Sequence, residues 1–141
     1  MRSFFVDATV PLHARGEGDP ALAASQAIVQ AAAGGHLRLH MSTEGGQEFL
    51  FHRLRMVGAT VATAEFAALL ELVVWHPFTE EVLRHSAQLV ATGSVRGRDA
   101  VHAATALNAG FTQIVTADAD FDGVPGLARL DPRDWQPQDL P

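Results

Sequence analysis

SVRGRDAVHAATALNAGFTQIVTADADF, residues 94–121, reads as a turn, a small-residue helix, a short buried strand and an acidic loop. Ala100, Ala103, Ala104 and Ala106 give the helix a slim face that can lie close to a sheet. Asp99 falls in its first turn, and Asp118 falls just past the strand end. Two carboxylates 19 residues apart in sequence are therefore expected on one rim of the fold. Working outward, the question is whether the rest of the chain brings more acids there.

Composition sets the bounds. The 141 residues are expected to form one domain, residues 1–141, with enough chain for a real core. A hydrophobic content of 48% against 18% charged residues argues against disorder. No apolar run approaches the ~18 residues of a membrane span, and the start MRSFFVDATV is too short in apolar length for a signal peptide. The absence of cysteine excludes disulfides and thiolate metal sites and fits a reducing compartment, so a cytoplasmic location away from any membrane is expected. A net charge of −6 speaks against a broad phosphate-binding surface. An acidic pocket holding a divalent cation reverses that local charge.

Before the late helix, Ser3 to Val6 reads as a buried strand closed by Asp7, and Thr9, Val10 and Pro11 as a turn leading into a loop with Gly16 and Gly18. Asp19-Pro20 reads as a helix start and Gly34-Gly35 as its stop. Leu37, Leu39 and Met41 alternate with His36, Arg38 and His40, the pattern of a half-buried strand. A helix from Ser42 or Thr43 to about Met56 carries Glu48, its start weakened by Gly45-Gly46 at roughly 1 kcal/mol per glycine. Phe66, Leu69, Leu70 and Val73 mark another helix, and Val73-Val74-Trp75 a short strand. Thr79 caps a helix through Val82, Leu83, Leu89 and Val90. After the late helix, stopped by Gly110, come strands at Gln113–Thr116 and near Leu127–Leu130, then an irregular surface tail over 131–141. Strands alternating with helices predict an α/β fold around a mostly parallel sheet.

Asp7, Glu48, Asp99 and Asp118 are the candidate site. Ligands of open parallel sheets bind beyond the carboxyl ends of the strands, where Asp7 and Asp118 both fall. Hard oxygen donors without Cys suit Mg²⁺ or Mn²⁺ better than Zn²⁺, and such ions promote phosphodiester hydrolysis. Singly, Asp99 is a first-turn aspartate favoured by the helix dipole, Asp118 a turn residue and Glu48 a solvated helix charge. Asp7 is hardest to dismiss, because an acid closing the FFV strand is costly to bury alone. Asp120 is a second-choice ligand. His102, one turn after Asp99, reads as a partly exposed helix residue, with orienting Asp99 or binding phosphate as its alternative roles.

Asp118, Asp120, Asp122 and Gly123 also spell the opening of an EF-hand loop, but its twelfth position is Arg129 where a bidentate Glu is needed. A phosphatase with a nucleophilic aspartate needs a second acid where Thr9 stands, and a phosphoacceptor domain keeps a late lysine, of which the chain has none.

FFVDATV, QEFL (47–50), RGRDAVHAATALNAG and IVTADADF, in this order and spacing, resemble the PIN-domain ribonucleases, specifically the VapC-type toxins of toxin–antitoxin pairs. The resemblance covers nearly the whole chain. It implies a PIN-like three-layer sandwich with helices on both faces of the sheet, and a metal-dependent nuclease acting on RNA. Its acidic positions carry over as Asp7, Glu48, Asp99 and Asp118, which serve as catalytic residues and as ligands of Mg²⁺ or Mn²⁺. Thr9 and Thr116 match its supporting polar positions. It implies homodimers and a cognate antitoxin whose basic segment blocks the pocket. The competing reading is a PIN-like module that binds a partner or RNA without cutting.

Overall fold

A computed structural model describes residues 1–16 and 21–136. Strand β1 (Arg2–Val6) alternates its side chains between two faces of a sheet, and both faces are covered. Phe4 and Val6 join one core with Ile28, Leu37, Leu39, Met41, Phe49 and Leu69. Phe5 points the other way, into a core with Leu89, Ile114, Phe121 and the alanines of the late helix. Two cores separated by one sheet make the three-layer sandwich.

The first core is roofed by α1 (Thr9–Ala14), α2 (Leu22–Ala33), α3 (Thr43–Val57) and α4 (Ala59–Leu72). Strand β2 (Leu37–Ser42) lies between α2 and α3, and β3 (Val73–His76) follows α4. On the other face lie α5 (Glu80–Ala91), capped by Thr79, and α6 (Arg98–Asn108). Strands β4 (Gln113–Val115) and β5 (Ala128–Leu130) complete the sheet. Its order is β3-β2-β1-β4-β5, and every pairing is parallel. The chain runs outward from β1 through β2 to β3, then crosses to β4 on the opposite side. The switch point lies between β1 and β4, where the strand ends leave a crevice.

Three expectations change. Thr9–Ala14 is a helix rather than a turn, because Pro11 sits in its first turn, where no N–H is needed, and Val10 and Pro11 are buried. The Gly45-Gly46 pair does not break α3: a Cβ on Gly46 would stand 2.6 Å from the Trp75 ring, so glycine is what lets α3 approach β3. The tail is not all surface, since Trp135 is buried edge-on against Phe4. The expected Asp19-Pro20 helix start lies outside the described residues. No described helix is long and apolar enough to cross a membrane.

Candidate active site

Asp7 leaves β1 on the floor of the switch-point crevice, 5% exposed. Its Oδ1 accepts from the Thr9 backbone N–H at 3.1 Å and from the Thr9 hydroxyl; its Oδ2 accepts from Thr116 Oγ1 at 2.8 Å. Those bonds favour the anion, but burial outweighs them and pushes the carboxyl up to about 6. Thr116 also receives the Asp118 backbone N–H at 3.0 Å, so one hydroxyl fixes both strand ends. Asp118 in turn caps the 3₁₀ turn Ala119–Phe121 by accepting from Asp120 N–H.

Asp99 enters from the opposite side. Gly97 precedes α6 with φ of 61°, a left-handed conformation that turns the chain into the helix and sets Asp99 in its first turn. Ala100, Ala103, Ala104 and Ala106 have no exposed surface, as their small size requires for a helix pressed to the sheet. Asp99, Asp118 and Asp120 each bring one carboxylate oxygen within 4.8 Å of the others. Burial, reinforced by repulsion from Asp118, Glu48 and Asp120, pushes Asp99 up to about 6 despite the opposing pull of His102.

Glu48 is held by a residue whose environment the sequence reading missed. His102 is 1% exposed, not partly exposed, and its Nε2 lies 2.9 Å from Glu48 Oε1. Its Nδ1 lies 2.7 Å from Ser42 Oγ, which also caps α3 by accepting from Gly45 N–H. Burial works to lower His102, but the bond to Glu48 and the charges of Glu48, Asp7 and Asp99 hold it above its usual value. The available signal was its place at i+3 from Asp99 among alanines that must face the sheet. The tight three-acid group thus contains Asp99 and Asp118 and adds Asp120. Asp7 joins through Thr116, and Glu48 is close enough for its charge to act on Asp99. The EF-hand reading ends here too, because Arg129 pairs with Asp122 at 2.8 Å and removes it from any ligand set.

The PIN domain family model matches residues 4–127. The chain belongs to the PIN domain family. No curated protein sequence matches it. Among solved structures, this PIN domain is similar to the DNA-bound VapBC of Salmonella typhimurium, with a TM-score of 0.72 and 16% identity over 94% of this chain and 99% of that one. It is similar to VapBC2 of Rickettsia felis bound to a promoter DNA fragment, with a TM-score of 0.69 and 13% identity over 91% and 97% of the two chains. It is also similar to VapC20 of Mycobacterium tuberculosis, a toxin that cleaves the sarcin-ricin loop, with a TM-score of 0.69 and 19% identity over 86% and 95%. At these identities the likeness is one of fold.

Proposed function

We propose that the protein is a Mg²⁺- or Mn²⁺-dependent endoribonuclease, the toxin of a toxin–antitoxin pair, acting on RNA in the cytoplasm. The reading is supported chiefly by the meeting of Asp99, Asp118 and Asp120 at the switch point of a PIN-family sheet, with Asp7 bonded into the same corner. The catalytic residues are Asp7, Glu48, Asp99 and Asp118, and the same acids, joined by Asp120, hold the metal. The donor set fits the ion: all oxygen, with burial and then the neighbouring Asp118 raising Asp99 to about 6, a cost that a cation would relieve. A bound ion of this kind activates water and stabilises charge developing on a phosphodiester. Thr9 and Thr116 hold Asp7 in one orientation. Glu48, with Oε1 occupied by His102, keeps Oε2 to orient the attacking water and accept its proton.

The partners follow the same reading. VapC20 is a toxin that cleaves the sarcin-ricin loop, and a similar Klebsiella pneumoniae structure is a toxin–antitoxin complex. A groove of about 420 Å³ between α1, α2, α3 and α4, lined by Val29, Phe49, Leu69 and Leu72, offers an antitoxin an apolar seat. Exposed Leu70, Val74, Phe78 and Leu83 support a homodimer. The test is cleavage of a single-stranded RNA panel with Mg²⁺ or Mn²⁺ against EDTA, beside Asp7→Asn and Asp99→Asn. Metal-dependent cutting lost in both variants is expected. A wild type that neither cuts nor binds metal overturns the reading and leaves a non-cutting binding module.

A further inference from the structure

The chain has ten arginines and no lysine, against sixteen acids, so a place where two guanidinium groups without carboxylate partners meet is informative. Arg53 and Arg15 are committed to Glu65, Arg84 to Glu80, Arg129 to Asp122 and Asp131, and Arg133 to Asp131. Arg2, Arg38, Arg55, Arg96 and Arg98 make no ion pair among the described residues, and of these Arg55 and Arg98 stand together. Arg55 comes from the end of α3 and Arg98 from the start of α6, yet both line one cleft of about 280 Å³. Glu48 and the half-exposed ring of Phe51 line it as well.

Glu48 is the wall shared between this cleft and the acid cluster. Arg96, also without an ion pair among the described residues, lines a second cleft with Ser94, Asp99 and Asp120. Each of the two clefts thus joins a guanidinium to an acid of the candidate site, in a chain whose overall charge is negative.

We propose that the Arg55–Arg98 cleft binds a backbone phosphate of single-stranded nucleic acid next to the one at the acid cluster, with the Phe51 face open to a base. The inference rests on the nuclease reading and deepens it. Guanidinium groups suit phosphate oxygens, and an exposed aromatic ring accepts any base by stacking. The strand then runs from Arg55 and Arg98, past the acids, toward Arg96. The net charge excludes a broad basic surface, so contacts are few and confined to this track.

Binding, rather than cutting, tests it. Anisotropy of a short labelled single-stranded RNA is measured in EDTA across a salt series, for wild type, Arg55→Ser/Arg98→Ser, Arg55→Lys/Arg98→Lys and Arg38→Ser. Arg38 is an exposed arginine paired in register with Ser3, toward the opposite end of the sheet. Each lost phosphate contact is expected to weaken binding about fivefold at 0.1 M salt and to flatten the log–log salt slope by about 0.7. The double serine variant should therefore bind about 25-fold more weakly, with the slope shallower by about 1.4. The lysine variant should keep most of the slope, and Arg38→Ser should match wild type. If wild type binds or cuts RNA and the double serine variant behaves like Arg38→Ser, the cleft is not the phosphate site and the nuclease reading stands. If poly-glutamate binds through these arginines and RNA does not, the cleft seats an acidic protein segment and the proposal is overturned. If wild type neither binds RNA nor cuts it with Mg²⁺, both readings fall.

Discussion

Asp7 and Asp131 occupy equivalent positions and live in opposite electrostatic worlds. Each follows directly on a parallel strand, β1 and β5, and each is under a tenth exposed. Asp131 accepts from the Arg133 backbone N–H and side chain and from Arg129, and the Arg133 bonds hold it down to about 2. Asp7 is bonded by Thr9 and Thr116 alone, and no guanidinium bonds to it among the described residues. Its carboxyl stays at about 6. A buried acid compensated within the chain is part of the framework. One held by hydroxyls, with no guanidinium bonded to it, at the switch point that also gathers Asp99, Asp118 and Asp120, is the acid that a bound cation would compensate on the function proposed above.

The comparison breaks most readily at catalysis. Asp7→Asn should reduce RNA cleavage on the order of 10²–10³-fold, the scale of lost electrostatic groups at a reacting centre. Asp131→Asn should leave the rate per folded molecule unchanged. Single-turnover cleavage by the two variants, at equal folded concentration, is the measurement. Equal losses would dissolve the distinction.

Stability against pH separates the two acids without any substrate. In EDTA, Asp7 has a folded pKa of about 6 against 3.8 unfolded, so the folded state holds its proton more tightly. Its contribution is complete below pH 3.8 and is lost as pH rises through 6, with a total of roughly 2–3 kcal/mol. Asp99 titrates in the same direction. Partly buried His13, His40 and His76 are held below their usual value and pull stability the other way over the same window, so the Asp7 contribution is read as a difference between two proteins. In urea unfolding in EDTA, the stability of wild type relative to Asp7→Asn should fall between pH 4 and 6.5, and millimolar Mg²⁺ should offset the fall at the upper end. A difference that stays flat across that window would contradict the picture of an uncompensated acid.

The sheet was legible because its signals are local. FFV before Asp7, the LRLHM alternation and the alanine face of α6 each state a strand or helix by periodicity alone. So were Asp7 and Asp118, because strand ends can be located from strands. Contacts between elements distant in sequence were not legible. Gly46 looked like a helix defect until Trp75, 29 residues later, filled the space its side chain would need. His102 looked exposed because nothing local says that Glu48 and Ser42, 54 and 60 residues earlier, close over it. Asp120 ranked below Asp7 as a ligand because sequence gives strand ends but not the 3₁₀ turn that swings Asp120 back toward Asp99 and Asp118.

That missed histidine sharpens the contrast between compensated and uncompensated acids. Glu48 lies between the extremes, with one oxygen engaged by His102 and its side chain only partly buried. His102→Leu keeps the apolar volume but removes the Nε2–H, and should lower kcat about 10–100-fold, the usual cost of losing a group that orients a ligand. His102→Gln, which restores a donor, should recover part of the loss. Circular dichroism and thermal melts confirm that each variant is folded. A loss confined to KM would mean that His102 acts on RNA binding instead of on Glu48.

The smallest effect comes from the framework acid itself. Asp131 is depressed from 3.8 to about 2, so its contribution is fully present above pH 3.8 and lost as pH falls through 2. Arg133 is more than half exposed, and solvent screens that side of the pair. Asp131→Asn should accordingly cost about 1–2 kcal/mol at pH 7, because the amide still accepts the Arg133 backbone N–H but loses the charge. The cost should fade on acidification, until variant and wild type converge near pH 2. Urea midpoints at pH 7 and near pH 2 read this directly. A penalty that persists in acid would mean that Asp131 works through its shape in the turn before Trp135, and the contrast with Asp7 would then be one of packing and not of charge.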